Sequence, residues 1–304
     1  MQHRLDELFR QAESVLLGKG DTIRLAVTCL LAQGHLLIED RPGVGKTTLA
    51  HLLARLLGMR FQRIQFTSDL LPADILGTAV YERDTNRFVF HPGPIFAQLV
   101  LADEVNRATP KAQSALLEAM GERQVTAEGE TRALPEPFFV IATQNPVSQL
   151  GTFPLPESQL DRFLMRIEIG YPERSAEREL LRGQDRRRLI EHLETALPPE
   201  QLAAVQGDVE QVHCADAVIA YVQALLEHTR DSGAFRLGLS PRAGQALIAA
   251  SRAWAYLDGR SAVLPEDVQA IFPHVAGHRL QPVDDDGAGA SNRARQLLDQ
   301  VTIP

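Results

Sequence analysis

Short apolar runs punctuate the first half of the chain, and each gives way to a turn or to a helical pattern. The runs are HLLIED from residue 35, RFQRIQF from 60, QLVLADE from 98, FFVIATQNP from 138 and FLMRIEIGYP from 163. Strands that alternate with helical segments predict a five-stranded parallel sheet covered on both faces. TLAHLLARLLG, residues 48–58, has Leu and Ala at three- and four-residue spacing and ends at Gly58, so a helix packed on that sheet is expected there. Two stretches switch to alternation instead. TAVYERDTNRFVFHPGP, residues 78–94, alternates on both sides of Asp84, Thr85 and Asn86, and QVTAEGETRAL, residues 124–134, does so around Glu128, Gly129 and Glu130. Both predict hairpins.

From about residue 187 the pattern is helical, as in VIAYVQALLEHTR, AGQALIAASRAWAYLDG and VLPEDVQAIFPHV, the last with Pro265 suited to a first turn. In GLSPRAGQAL, Ser240 reads as an N-cap and Pro241 as the first helical residue, which puts Arg242 at a helix N-terminus. DDDGAGASNR, residues 284–293, reads as a polar connector, and Trp254 reads as core.

Between the first strand and its helix lies EDRPGVGKTT, residues 39–48. A phosphate site needs backbone N–H groups converging at a helix N-terminus, where the helix dipole also favours negative charge. Gly43 and Gly45 let the backbone wrap closely, Lys46 supplies a point charge for the outer phosphates, and the Thr47 hydroxyl suits Mg²⁺. Lysine is otherwise rare here, occurring only at Lys19, Lys46 and Lys111. The pattern G-x-x-x-x-G-K-[ST] would place glycine where Asp40 stands. A carboxylate ~8 Å from a phosphate, at an effective dielectric of ~20, is repelled by about 2 kcal/mol per unit charge. Mg²⁺, Lys46 and several N–H groups can offset that, and turning Asp40 towards Arg41 or solvent would shrink it. Asp40→Gly is then expected to leave nucleotide binding intact or slightly tighter.

The third apolar run ends in Asp103 and Glu104, which emerge beside that loop at the carboxyl ends of the strands. Asp103 is placed to hold Mg²⁺ through water, and Glu104 to orient or deprotonate an attacking water. Asn145, at the end of the fourth run, can donate one hydrogen bond and accept another, which suits holding that water. Taken alone, it would read as a turn residue before Pro146.

Composition narrows the partners. The 304 residues carry a net charge of -8, which disfavours a uniformly basic nucleic-acid surface. The tip AEGETR is acidic on balance and ERDTNR is mixed, unlike hairpins that thread DNA. Cys29 and Cys214 are the only cysteines and lack metal or C-x-x-C spacing, and no apolar leader or membrane span is expected. A reduced, cytoplasmic protein with protein partners is the expectation.

In order and spacing, the loop, the Asp-Glu strand and the Asn strand resemble the AAA+ ATPase core. EDRPGVGKTTLA, LADEVNRATPKAQSALLEAMGERQVT, ATQNPVSQLGTFPLPESQLDRF and GLSPRAGQAL resemble the MoxR family within it. The resemblance covers nearly the whole chain, and in this family the first loop glycine is often replaced, as at Asp40. It implies an α/β fold: an AAA+ P-loop core with a five-stranded parallel sheet between helices over residues 1–186, then a small all-helical lid over 187–304. It makes the two hairpins the helix-2 insert, about 78–94, and the presensor-1 hairpin, about 124–134.

Residue by residue, the resemblance implies ATP contacts from Pro42, Gly43, Val44, Gly45, Lys46, Thr47 and Thr48, with Gly18 in LLGKGD beside the adenine. Thr47 and Asp103 are implied as Mg²⁺ ligands, Glu104 and Asn145 as the catalytic pair, Arg162 of LDRF as an arginine finger reaching a neighbour's γ-phosphate, and Arg242 as sensor 2. Without the family, Arg162 beside Asp161 reads equally well as a local ion pair, and action of Arg242 in cis or in trans is open. The resemblance further implies a homo-oligomer, a hexamer, that hydrolyses ATP and acts as a chaperone on a client protein or metalloenzyme complex. The implied partner is a protein with a von Willebrand factor A domain. A magnesium-chelatase-like motor subunit and a nucleotide-dependent binding switch with little hydrolysis are the alternatives.

Overall fold

The computed structural model describes residues 1–84, 86–145, 152–183, 186–283 and 290–303, without the side chains of 187, 290 and 291. Helices α1 (Gln2–Val15) and α2 (Gly20–Leu31) lead into strand β1 (Leu36–Glu39), helix α3 (Lys46–Leu56) and strand β2 (Phe61–Gln65). Helix α4 (Pro72–Leu76) precedes the hairpin of β3 (Gly77–Glu82) and β4 (Arg87–Pro92), and then β5 (Leu99–Asp103) and α5 (Pro110–Glu122) follow. A second hairpin, β6 (Gln124–Ala127) and β7 (Glu130–Ala133), is followed by β8 (Phe139–Gln144), the short helix α6 (Glu157–Leu160) and β9 (Met165–Ile167). The rest is helical: α7 (Arg174–Leu181), α8 (Arg186–Glu191), α9 (Pro199–Glu210), α10 (Asp216–Asp231), α11 (Pro241–Leu257), α12 (Pro265–Ala276) and α13 (Ala290–Leu298).

The five apolar runs form one parallel sheet in the order β2-β5-β8-β1-β9. Period-two alternation sorts its residues between two cores. Leu36, Ile38, Leu99, Leu101, Phe139 and Ile141 face the helices α1 to α3, while Leu37, Val100, Ala102, Val140 and Ala142 face the side of α5. The first of these cores continues without a break into α9 to α13, through residues such as Leu202, Tyr221, Leu247 and Phe272. That shared apolar surface fixes the lid against α2 and β9. Trp254 on α11 is half-buried and packs against this core as expected, and Arg24 on α2 also lies 4.0 Å over its ring.

Both expected hairpins form. The turn of the second uses Glu128 and Gly129, both at positive φ, as a two-residue hairpin turn requires. Its Arg132 lies 3.8 Å over the ring of Phe90 on the first hairpin, so the two inserts touch. The tip residue Thr85, Pro146 and residues 284–289 of the expected connector lie outside the described residues. From Ala290 that stretch is helix α13, not connector, because Ala294 and Leu297 turn one face into the lid core. The boundary expected at 186/187 falls at the start of α8, which packs on α1 and α3.

Candidate functional site

The register brings the carboxyl ends of β1, β8 and β5 to one rim. Glu39 pairs with Gln144, and Ala102 pairs with Ala142, so the loop after β1, Asp103 and Asn145 leave the sheet side by side. Gly43 and Gly45 have φ of 86° and 104°, a left-handed conformation that side chains resist, and Gly45 is the N-cap of α3. The result is a cleft of about 290 Å³. It is lined by Pro42, Gly43, Gly45, Thr47 and Thr48 together with Lys46, Asp103, Glu104 and Asn145. Val44 does not line it and packs on the core instead. Gly18 does not line it either; at φ 67° it lies against Ala176 of α7, and it is Leu16, two residues earlier, that approaches Gly45.

Within the cleft one chain of hydrogen bonds links the expected residues. Lys46 Nζ donates to the carbonyl of Asp40 and, at 3.1 Å, to Asn145 Oδ1, and Asn145 Nδ2 donates to Glu104 Oε1 at 2.9 Å. Burial lowers the pKa of the Lys46 ammonium, while Asp40, Asp103, Glu104 and Glu39 pull it back up. Glu104 sits in the left-handed region, φ 58° and ψ 47°, an uncommon conformation for a non-glycine residue. That turn swings its carboxylate off the strand and towards Asn145.

Four further side chains, not foreseen from the sequence, hold the two acids. Thr143 Oγ1 donates to Asp103 Oδ1 at 2.6 Å and accepts the Glu104 N–H at 2.9 Å. Arg63 pairs with Asp103 Oδ2, Gln65 Nε2 reaches Glu104 Oε2 at 2.9 Å, and Arg107 Nε lies 3.2 Å from that same oxygen. The signal available in the sequence was parity. Arg63, Gln65, Asp103 and Thr143 all fall on the strand face that carries Phe61, Leu101 and Ile141 towards α3.

Asp40 does not point into the loop. Its Oδ2 accepts the backbone amides of Ile169 at 2.8 Å and Gly170 at 2.6 Å, and its Oδ1 accepts that of Arg41 at 2.7 Å. The acid in the place of the usual glycine therefore ties the loop to the chain leaving β9. Lys19 closes the same tie from the other side, donating to the carbonyls of Ile169 and Tyr171 at 2.6 and 2.8 Å.

Arg162 and Arg242 lie at the other end of the sheet. Leu164 N donates to the carbonyl of His35 just before β1, so the LDRF turn sits at the amino ends of the strands. It is separated from the loop after β1 by the length of that strand, about 13 Å at ~3.3 Å per residue. Arg162 donates to the carbonyl of Leu117 on α5, lying where a side chain at Gly121 would clash. Arg242 is largely exposed at the start of α11, whose Ser240 cap accepts Ala243 N at 3.2 Å, and its Nε is 3.9 Å from Asp161 Oδ2. Asp161 pairs not with Arg162 but with buried Arg279, at 2.7 Å, and Arg279 also binds the carbonyls of Phe163 and Leu164. No local Asp161–Arg162 ion pair is present.

Comparison with known proteins agrees with this arrangement. Residues 35–165 match the ATPase family associated with various cellular activities (AAA), and residues 227–300 match the AAA lid domain. The chain is 44% identical over 293 residues to the uncharacterized protein YeaC of Bacillus subtilis, spanning 95% of this chain and 92% of that protein. It is 39% identical to Chaperone MoxR1 of Mycobacterium tuberculosis, over 91% of this chain and 76% of that one. A crystal structure from Cytophaga hutchinsonii, of a protein designated an ATPase, superposes with a TM-score of 0.90 at 32% identity, over 100% of this chain and 96% of its own. Two relatives named MoxR add 34 and 35% identity over 90% of the chain. Its α/β core, helical lid and loop chemistry thus fall together, and the chain belongs to the MoxR family of AAA+ ATPases.

Proposed function

We propose that the chain binds and hydrolyses ATP at the cleft beneath Lys46 and does so in a homo-oligomeric ring, a hexamer. The single observation that carries this reading is the division of the machinery between two ends of the sheet. Lys46, Asp103, Glu104 and Asn145 converge at the carboxyl rim, whereas Arg162 and Arg242 stand near Asp161 at the amino end, out of reach of that cleft. Arranged head to tail, one subunit's arginines face the next subunit's cleft, and both act in trans.

In this reading Lys46 and the amides of Gly43 to Thr47 hold the phosphates, Glu104 takes the proton of an attacking water, and Asn145 holds that water between them. Asp103 and the Thr47 hydroxyl are the residues that would hold Mg²⁺. Their all-oxygen donor set suits a hard cation, and a carboxylate as buried as that of Asp103 calls for a positive charge beside it. The ion supplies charge that neutralises the transferring phosphoryl oxygens. A guanidinium delivered in trans adds roughly 10³ to 10⁵ in turnover.

Turnover drives a chaperone-like remodelling or maturation of a client protein or metalloenzyme complex in the cytoplasm, with a von Willebrand factor A domain protein as adaptor and no nucleic-acid substrate. The support is family membership, the name of the mycobacterial relative and the acidic hairpin tip. No helix among the described residues is long and apolar enough to cross a membrane.

Phosphate release tests the hydrolase reading. Glu104→Gln is expected to retain ATP and lose turnover by at least about 10²-fold; unchanged release would sink it. Arg162→Ala mixed with Glu104→Gln should recover activity at composite sites. No recovery across mixing ratios, with mixed assembly verified, overturns action in trans.

A further inference from the structure

Asp103 is the more deeply buried of the two acids of the cleft. Its side chain is about one-tenth exposed, and three of its four lone-pair positions are already used. Arg63 fills two of them on Oδ2, from Nε at 3.1 Å and Nη2 at 2.6 Å, and Thr143 fills one on Oδ1. The guanidinium comes from the edge strand β2. Gln65 pairs in register with Asp103, so Arg63 stands one pleat back on the same face and reaches forward along the sheet. Half of the Arg63 side chain remains in solvent, leaving it room to move without unpacking the core.

A buried carboxylate without a cation costs several kcal/mol, which explains why the pair forms. It also creates a conflict. The reading above gives Asp103 the task of holding Mg²⁺ through water, and coordinated waters need the same lone pairs that Arg63 now takes. A divalent ion and a guanidinium crowding one oxygen would also repel each other.

We propose that Arg63 is a resident stand-in cation. It neutralises Asp103 while the cleft holds no metal-nucleotide, and it gives up Oδ2 when Mg²⁺ arrives, so that one positive charge is exchanged for another. The exchange rests on the nucleotide reading of this cleft and adds to it a residue that sets how much Mg²⁺ is needed. Arg63 stabilises the empty state and thereby weakens metal-dependent binding. Its Nη2 also donates to Gln65 Oε1 at 2.6 Å, so its departure frees that side chain as well.

The test uses full-length protein and two readouts, neither of which is turnover. In the first, fluorescent ADP binding is titrated with Mg²⁺. Arg63→Gln should move the Mg²⁺ midpoint about tenfold lower, the ratio given by 1.4 kcal/mol of lost competition, with Arg63→Lys in between. In the second, a thermal double-mutant cycle pairs Arg63→Gln with Asp103→Asn. Nucleotide-free protein should show clear coupling, since Arg63→Gln destabilises only where Asp103 keeps its charge. In a parallel comparison, saturating Mg²⁺–ADP should raise the melting temperature of Arg63→Gln more than that of the unmutated protein. An unchanged or higher Mg²⁺ midpoint, or equal shifts with Mg²⁺–ADP, overturns the exchange and leaves Arg63 a permanent structural partner. If the unmutated protein binds no Mg²⁺–ADP at all, the nucleotide reading itself fails.

Discussion

The carboxylate of Asp40 accepts the backbone amide of Gly170 at 2.6 Å, joining the first residue of the loop between β1 and α3 to the exit of β9. With Ile169 and Arg41 it accepts three N–H groups in all. Judged from the sequence, Asp40 is a repulsive acid beside a phosphate. In the fold its charge is spent on backbone donors pointing away from the cleft. Asp40→Gly is therefore expected to destabilise the protein by about 1–3 kcal/mol, since hydrogen bonds to a charged acceptor are lost and the amide of buried Ile169 is left unpaired. Nucleotide affinity should fall several-fold, not rise. Thermal unfolding and ADP titration measure both, and a tighter-binding, equally stable Asp40→Gly would contradict the tether.

Asn145 sits between Lys46 and Glu104, accepting from one and donating to the other. Lys46→Ala should abolish nucleotide binding. Asn145→Ala should leave ADP affinity within a few-fold but lower turnover about 10²-fold, because it removes the group that orients Glu104 and the water without removing a phosphate ligand. Equilibrium binding alongside phosphate release separates the two effects.

Arg279 belongs to the lid yet binds Asp161 and the carbonyls of Phe163 and Leu164 around the LDRF turn, with the neighbouring His278 Nε2 also meeting the Phe163 carbonyl at 3.0 Å. The lid thus grips the segment that carries Arg162. Arg279→Gln breaks a buried pair and should cost about 3 kcal/mol or more. Asp161→Asn should be milder and is the better probe. It is expected to retain nucleotide binding and lose turnover in the manner of Arg162→Ala, with mixed rings recovering activity beside Glu104→Gln subunits. Full turnover with a lowered melting temperature would show the grip to be structural only.

His35 is buried at the start of β1, where Nδ1 accepts Val140 N at 3.1 Å and Nε2 lies 3.3 Å from the Met120 carbonyl. Burial lowers its pKa to about 4, below the ordinary 6.5. Burial holds His278 well below its ordinary value as well. Below pH 6.5 the unfolded chain takes up protons that the folded chain refuses, so stability is fully present above 6.5 and declines as the pH falls towards 4. For His35 alone the loss approaches roughly 3 kcal/mol. Denaturant midpoints measured from pH 7.5 to 4.5 should follow this slope, and His35→Gln should flatten it.

The five strands, both hairpins, the capped start of α11 and the cleft residues from Pro42 to Thr48, Val44 apart, were legible because each rests on local order: period-two alternation, glycines at a strand-to-helix turn, Ser-Pro before a helix. Asp103, Glu104 and Asn145 were legible for a related reason, since strands of a parallel sheet end on one rim. Three relationships were not. The partner of Arg63, the donors that absorb the charge of Asp40, and the grip of Arg279 on Asp161 join residues separated by 40, 130 and 118 positions. Sequence fixes which charges exist and which strand face each occupies. Only tertiary packing brings particular donors within 3 Å of particular carboxylates, and there desolvation leaves every buried charge in need of a partner. The same packing put Arg242 within 3.9 Å of Asp161, at the end of the sheet away from Lys46, because the shared apolar core holds the start of α11 there.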